Sequence, residues 1–293
     1  MTDLPVRANT SHNVNVLGRY LTNAVKATGV AAGRLRNWLG FMVVAGMLDQ
    51  SRDPLDGRPL FLIKGGVAME LRVGGLARAT RDIDMALRTA IGDLEEHLDP
   101  SLRRGFGDFT ATRTEIEGIG NTGPRRCQVK IQYRGRPVVS VPVEFAATEA
   151  SMADDIDHVV PEPLNHLGSD GPDTVPCVAI KWQIAQKIHA CTHHHPDRAN
   201  DRLRDLLDLQ LLAALVDTDD WAPLRAACIE VFDGRATHQW PPRLVVPDAW
   251  VDGYSTLAAD TGFHIADVHV AAVQVQSLID GIDVGEPAPA TVD

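Results

Sequence analysis

Apolar and polar positions alternate along this chain in three successive regimes. In the first, "VLGRYLTNAVKATGVAAGRLRNWLGFMVVAGMLDQ" repeats apolar residues at helical spacing, which predicts two helices. In the second, "LFLIK" is a short apolar run bounded by Pro59 and Gly65 and reads as a buried strand. From Gly66, "VAMELRVG" has helical composition and stops at Gly74-Gly75, after which "DIDMAL" alternates with period two. The local order is strand, glycine turn, helix, strand. A charged helical segment around "IGDLEEHL" follows, then two alternating runs, "CQVKIQY" and "VVSVPVEF", joined across Arg134-Gly135-Arg136-Pro137 as a hairpin. In the second run Val139, Val141, Val143 and Phe145 share one face, leaving Ser140, Pro142 and Glu144 on the other. Pro142 cannot donate to a sheet ladder, which predicts an edge strand or an interruption at that point.

The third regime starts after "EPLNHLGSDGPDTVP", residues 162–176, a stretch rich in Gly, Pro, Asp and Ser with no periodic segment. Beyond it "VAIKWQIAQKIHACT", "DRLRDLLDLQLLAAL", "DWAPLRAACIEVF" and "ADVHVAAVQVQSLIDGI" all carry helical periodicity. The break predicts an α/β (α+β) domain over residues 1–165 and a helical domain over residues 166–293. The opening to about Val14 is polar and irregular, and the closing "DVGEPAPATVD" is expected to fray. There is no internal repeat and no low-complexity tract.

Composition narrows the class. The 293 residues, 44% of them hydrophobic, are enough for one large core or two modest ones. No apolar run approaches the roughly 20 residues needed to span a bilayer, and the opening lacks a basic flank followed by a hydrophobic segment. A cytoplasmic protein with no membrane partner is expected. Cys127, Cys177, Cys191 and Cys228 show no CxxC spacing and read as reduced core residues. The formal net charge of -11, from 39 acidic and 28 basic side chains, repels polyanions on average. A local basic patch stays open, because Arg78, Arg81, Arg103, Arg104, Arg125 and Arg126 all fall in the N-terminal half.

Three features carry chemistry. Lys64-Gly65-Gly66 closes a strand and opens a helix, where bare backbone N–H groups and the helix dipole attract phosphate. Asp82 and Asp84 lie two apart, so both carboxylates project from one face of their strand while Ile83 and Met85 turn into the core. Glu144 supplies a further carboxylate, and together these are oxygen donors suited to magnesium or manganese. Paired carboxylates on a strand can anchor two metal ions about 3.5 to 4 Å apart for a phosphoryl displacement. The alternative is that Asp82 and Asp84 are solvent-facing acids of an edge strand, paired with neighbouring arginines.

The pattern "GG...DID" looks like the nucleotidyltransferase superfamily related to DNA polymerase beta. More narrowly, "FLIKGGVAMELRVGGLARATRDIDMAL" resembles the AbiEii/AbiGii toxin family, including the MenT-type toxins of mycobacteria. That family's pattern is Lys-Gly-Gly, a helix, then Arg-x-Ser/Thr-x-Asp-x-Asp, filled here by Lys64, Gly65, Gly66, Arg78, Thr80, Asp82 and Asp84. The long gap from Gly66 to Asp82 favours this family over other nucleotidyltransferases. "AQKIHA", "RLRDLLDL" and "GRATHQWPPRLVVPDAW" resemble its later motifs, so the likeness spans most of residues 60–250.

The resemblance implies a polymerase-beta-like mixed sheet with flanking helices, a C-terminal helical domain, and an active site in the cleft between them. Asp82 and Asp84 would hold Mg2+ or Mn2+, with Glu144 as third ligand or as the base on the acceptor hydroxyl. Lys64, Gly65, Gly66, Arg78 and Thr80 would meet the NTP, and Lys187 its β- and γ-phosphates. Asp205 or Asp208 would position Lys187, a nucleobase or the acceptor. The implied reaction is NMP transfer from an NTP to the 3′ end of tRNA by a monomeric toxin, blocking translation, with a cognate antitoxin restraining it. Phosphorylation of Thr80 is one conceivable restraint.

Other readings remain. Lys187 is also compatible with a snorkelling surface lysine, and Asp205 and Asp208 with ordinary surface acids. A small-molecule nucleotidyltransferase of the antibiotic-modifying kind fits the acidic balance, and an inert binding module would keep the same fold. The histidines of "THHHPD", with His189 before them, read as a solvated helix end rather than a metal site. Trp182 and Trp240 read as packing rather than base-stacking residues.

Overall fold

The computed structural model describes residues 13–120, 123–194, 197 and 199–286. The polar opening, His195 and the tail beyond Glu286 therefore lie outside the described residues. The chain forms two compact units. The first runs to Arg72 and resumes over Ala79–Thr148 and Ile156–Cys177; the second takes Val73–Arg78, Glu149–Asp155 and the chain from Val178 onward. The limit after Cys177 lies beyond the Gly/Pro-rich stretch 162–176, whose Leu164 and Leu167 are fully buried in the core of the first unit.

In the first unit, α1 (Val14–Thr28) starts where the Asn13 side chain accepts from the amides of Asn15 and Val16, and stops at Gly29 in the left-handed conformation. The second helix, α2 (Ala32–Leu48), is apolar almost all round and is correspondingly buried. Then come β1 (Phe61–Lys64), α3 (Gly65–Val73), β2 (Ile83–Leu87), α4 (Leu94–Arg104), β3 (Phe109–Arg113), β4 (Glu117–Gly118), β5 (Arg125–Tyr133), β6 (Arg136–Ala147), β7 (Ile156–Val159) and β8 (Val175–Val178). The sheet order is β3-β5-β6-β2-β1-β8-β7, with β4 alongside β5. It is mixed, since β1 is antiparallel to β2 and parallel to β8, and β2 is parallel to β6.

Helices α1, α2 and α4 share one core with the inward residues Ile63, Ile83, Met85, Val141, Val143 and Phe145. Gly40 allows α2 to lie close to β6, because a Cβ there would fall 2.7 Å from Val141 Cγ2 and 2.9 Å from Val139 Cγ1. The β5–β6 hairpin turns through Arg134 and Gly135, both at positive φ (47° and 75°), the type I′ geometry that matches strand twist. β6 is a central strand, pairing with β5 on one side and β2 on the other, so of the two readings of Pro142, an edge strand or an interruption, the second holds. Its ladder with β2 begins at Val143, so Pro142 stands one residue outside the pairing that would require its missing N–H.

The second unit contains α5 (Ile180–Thr192), α6 (Leu203–Ala213), α7 (Trp221–Arg235), α8 (Trp250–Thr261) and α9 (Val268–Val284). Helix α8 is an addition to the four expected from periodicity; it buries Trp250, Tyr254 and Ala258 at a spacing of four. Helix α9 runs through Val284 and ends on Gly285, so the first residues of the supposed tail are helical. Among the described residues no helix is long and apolar enough to cross a membrane.

The close seat of α2 on β6 predicts that Gly40→Ala costs about 1–3 kcal/mol through overpacking. Urea unfolding measures it as a lower midpoint at unchanged slope. An unshifted midpoint would show that the helix adjusts without cost.

Candidate active site

The register of the sheet sets one row of charged side chains. Lys64 of β1 stands opposite Asp84 of β2, Asp84 opposite Glu144 of β6, and Glu144 opposite Arg126 of β5. Directly opposite residues project from the same face, so two carboxylates sit side by side with a cation beyond each. Their neighbours Ile83, Met85, Val143 and Phe145 point the other way and are fully buried. Asp84 and Glu144 are partly exposed.

Asp82 is placed differently from its partner in the motif. It precedes β2, and the Thr80 hydroxyl lies 3.2 Å from both its backbone oxygen and its Oδ1. Among the described residues no three His, Cys, Asp or Glu side chains are gathered as a metal cage. The expected trio Asp82, Asp84 and Glu144 is therefore not assembled as three ligands: the register joins Asp84 to Glu144, while Asp82 is held by Thr80. The pair alone still fits a magnesium ion, which takes one or two carboxylates and keeps its other positions for water and substrate phosphates.

Gly65 and Gly66 have a structural reason beyond room for phosphate. Gly65 is at φ 62°, and a Cβ on it would collide with the Asp84 carboxylate, which lies against the backbone where α3 begins. A Cβ on Gly66 would lie 2.7 Å from Thr80 Oγ1 and 2.8 Å from Thr80 Cβ. The glycine pair thus accepts both an acid and the hydroxyl of the Arg-x-Thr-x-Asp-x-Asp segment. Thr80 is buried, so a phosphate on it requires that segment to leave Gly66 first.

The remaining sequence candidates belong to the second unit and form a cluster of their own. Lys187 Nζ donates to Asp205 Oδ1 at 2.7 Å and to Asp208 Oδ2 at 2.6 Å, so it is a buried ion-paired lysine and not a snorkelling one. Burial opposes its charge, but Asp208 and Asp205 outweigh burial and hold the ammonium above the usual lysine range. Arg78 Nε lies 3.7 Å from Asp208 Oδ2 without a hydrogen bond, and Asp208 Oδ1 is buried without a partner among the described residues.

Sequence reasoning missed a second polar group in this unit. His189 is buried, not solvated, and its Nδ1 accepts from Arg235 Nη1 at 3.2 Å while Arg235 clamps Glu149 through Nε and Nη2 at 2.9 and 3.0 Å. His189 Nε2–H then donates to Thr237 Oγ1 at 2.9 Å. Burial first, then the nearby Arg235, His238 and His193, with Glu149 opposing, bring the His189 pKa down to about 4. The only signal for this group was the quoted "GRATHQWPP". Trp182 is buried with its indole N–H on Asp155, and Trp240 bonds Asp283 with its ring edge-on to Phe232, so both are engaged in packing within their unit.

Taken together, the mixed sheet, its flanking helices and the carboxylate pair beside a glycine-opened helix define a nucleotidyltransferase fold. MenT4, a nucleotidyltransferase toxin from Mycobacterium tuberculosis H37Rv, shares that fold with a TM-score of 0.55 at 18% identity, covering 93% of this chain and 90% of that one. The chain belongs to the AbiEii family, described as "Nucleotidyl transferase AbiEii toxin, Type IV TA system", whose profile matches residues 48–280. The resemblance read from Lys64 to Asp84 thus holds. A Megavirus polyadenylate synthase aligns over 88% of this chain and 45% of its own at 9% identity, but its TM-score of 0.32 is too low to bear on the argument. No curated protein sequence matches the chain.

Two outcomes follow from these clusters. Lys187→Met leaves two buried carboxylates facing each other and should cost about 3–5 kcal/mol in urea unfolding; a cost below about 1 kcal/mol would mean that the cluster is open to water. For His189 the folded pKa lies below the unfolded value, so between pH 6.5 and about 4 the unfolded chain binds a proton that the folded chain refuses. Its contribution is complete above pH 6.5 and is lost on acidification toward 4. The melting temperature should therefore fall over that window in the wild type and fall less in His189→Gln. Parallel profiles for the two proteins would refute the assignment.

Proposed function

We propose that the chain transfers a nucleoside monophosphate from an NTP to an acceptor hydroxyl with release of pyrophosphate, and that the acceptor is the 3′ end of tRNA. The observation that carries this reading is Asp84 in register with Glu144, seated against the glycine bend where α3 begins. Asp84 and Glu144 would hold magnesium or manganese, and the bound cation would neutralise the triphosphate and favour departure of pyrophosphate. The chain's own groups do the rest. Lys64 stands beside Asp84, and the amides at Gly65 and Gly66 open a helix whose dipole favours the triphosphate. Thr80 fixes Asp82, which lies two residues before Asp84 and would be a third ligand once substrate is present. Glu144 is also a candidate base for the acceptor hydroxyl.

Lys187 spends two of its three N–H donors on Asp205 and Asp208, leaving one for a phosphate oxygen. Both aspartates therefore position the lysine. Arg78 would add charge to the same cluster. Acting as a monomer in the cytoplasm, such an enzyme would block aminoacylation and stop growth, and a cognate antitoxin would restrain it.

The net charge of -11 keeps one rival in view, a small-molecule acceptor, because a polynucleotide prefers a basic surface. The test is incubation with labelled NTPs and either total tRNA or a metabolite extract, with magnesium and after its removal by chelator. Label should enter tRNA only with metal, and Asp84→Asn should slow transfer by on the order of 10²-fold or more. Label confined to small molecules would end the tRNA reading; full activity of Asp84→Asn would end the assignment of the site.

A further inference from the structure

The face of the sheet turned away from α1, α2 and α4 has a composition unlike the rest of this acidic chain. Its exposed positions include Arg126, Gln128 and Lys130 on β5, Ser140 on β6, and Thr110 and Thr112 on β3. Register ties them into one surface: Thr112 stands opposite Lys130, and Lys130 opposite Ser140. Arg126 stands opposite Glu144 in the row that continues to Asp84, so the surface runs directly into the candidate carboxylate pair.

Its charges are available. Lys130 has no ion pair among the described residues. Arg126 approaches Glu117 at 3.6 Å, but those side chains are 57% and 68% exposed, an ion pair that a phosphate readily replaces. Along β5 the two cations are four residues apart, about 13 Å, on the same side of the strand. There is no aromatic ring among these six side chains, so stacking on bases is not their chemistry. Cations, an amide and hydroxyls on an exposed sheet face suit phosphates and 2′-hydroxyls, which are read without regard to base sequence.

We propose that this face holds the sugar-phosphate backbone of a single-stranded RNA acceptor end as it runs toward Asp84 and Glu144, with Lys130 and Arg126 on its phosphates. The inference rests on the RNA-acceptor reading above and assigns the surface that serves it. It also reconciles RNA binding with the net charge, because the acids of the chain lie elsewhere than on these outward positions, apart from Glu117 and the site itself.

The test uses the full chain, a fluorescently labelled short single-stranded RNA and anisotropy over a range of salt. Lys130→Ala and Arg126→Ala should each weaken binding several-fold and lower the slope of log affinity against log salt by about 0.7. Lys130→Arg should bind as the wild type does, as should Lys26→Ala, on an exposed lysine of α1 that belongs to the helical side. The KM for NTP should not change in Lys130→Ala, Lys130→Arg or Lys26→Ala. RNA binding unchanged in Lys130→Ala and Arg126→Ala, or equally weakened in Lys26→Ala, overturns the surface assignment while transfer of label to RNA by the wild type leaves the acceptor reading standing. Absence of both binding and transfer in the wild type overturns both.

Discussion

The site depends on the register in which β2 lies between β1 and β6. A slip of one residue would turn Ile83 or Met85 to the face that now carries Asp84 and send the acid into the core. The apolar face prevents it: Ile83, Met85, Val143 and Phe145 are all fully buried, and burying each contributes about 1.5–3 kcal/mol. Against that stands the repulsion of two partly exposed carboxylates on adjacent strands, about 1–4 kcal/mol for charges some 4 Å apart in effective dielectrics between water and a protein surface. Burial wins by a clear margin, so the fold can hold like charges together in the absence of a cation and leave their repulsion to favour one. Lys64 and Arg126, at the two ends of the row, reduce the cost further.

The same balance explains what could be read from the sequence. The strand-turn-helix-strand order from Phe61 to Leu87 and the β5–β6 hairpin were legible because each is a local pattern of period two or 3.6 closed by glycine. The neighbour of β2 was not legible, because β6 reaches it from more than fifty residues later and nothing local in "VVSVPVEF" specifies a parallel partner. Glu144 could therefore be named as a candidate acid without knowing that it stands beside Asp84. Pro142 marked an interruption and not an edge: the rule that excludes proline from central strands acts on one ladder hydrogen bond at a time, and at that residue one side of the strand is not yet paired. The short strands β7 and β8 and helix α8 were missed where glycine and proline obscure the periodicity on either side.

The glycines show how a correct motif can have an unexpected cause. Read as a phosphate cradle, Gly65-Gly66 needs only bare amides; in the fold, its missing side chains make space for Asp84 and Thr80. A glycine required by an intramolecular partner and one required by a ligand leave the same mark on a sequence. Here the two demands are compatible, because drawing the carboxylate to the start of α3 also brings it to the place where a triphosphate would meet the helix dipole.

In the second unit, the irregular segment after α7 is held by a hydrogen-bond chain whose two ends are set by a pure donor and a pure acceptor. Arg235 can only donate, so His189 Nδ1 must accept and its Nε2–H must donate to Thr237. The Thr237 hydroxyl then donates to His238 Nδ1, His238 Nε2–H donates to Thr192, and the Thr192 hydroxyl ends the chain on the Ile188 carbonyl, which can only accept. The pure donor Arg235 thus fixes His189 as neutral with its proton on Nε2, and the pure acceptor at Ile188 fixes a proton on Nε2 of His238. Burial, and after it neighbouring positive charge, lowers both imidazole pKa values, and at His189 an added proton on Nδ1 would also face the Arg235 donor. Two links of the chain, His189 and Thr192, lie on α5 with Lys187, so the network that orders the loop also fixes the helix that carries the lysine.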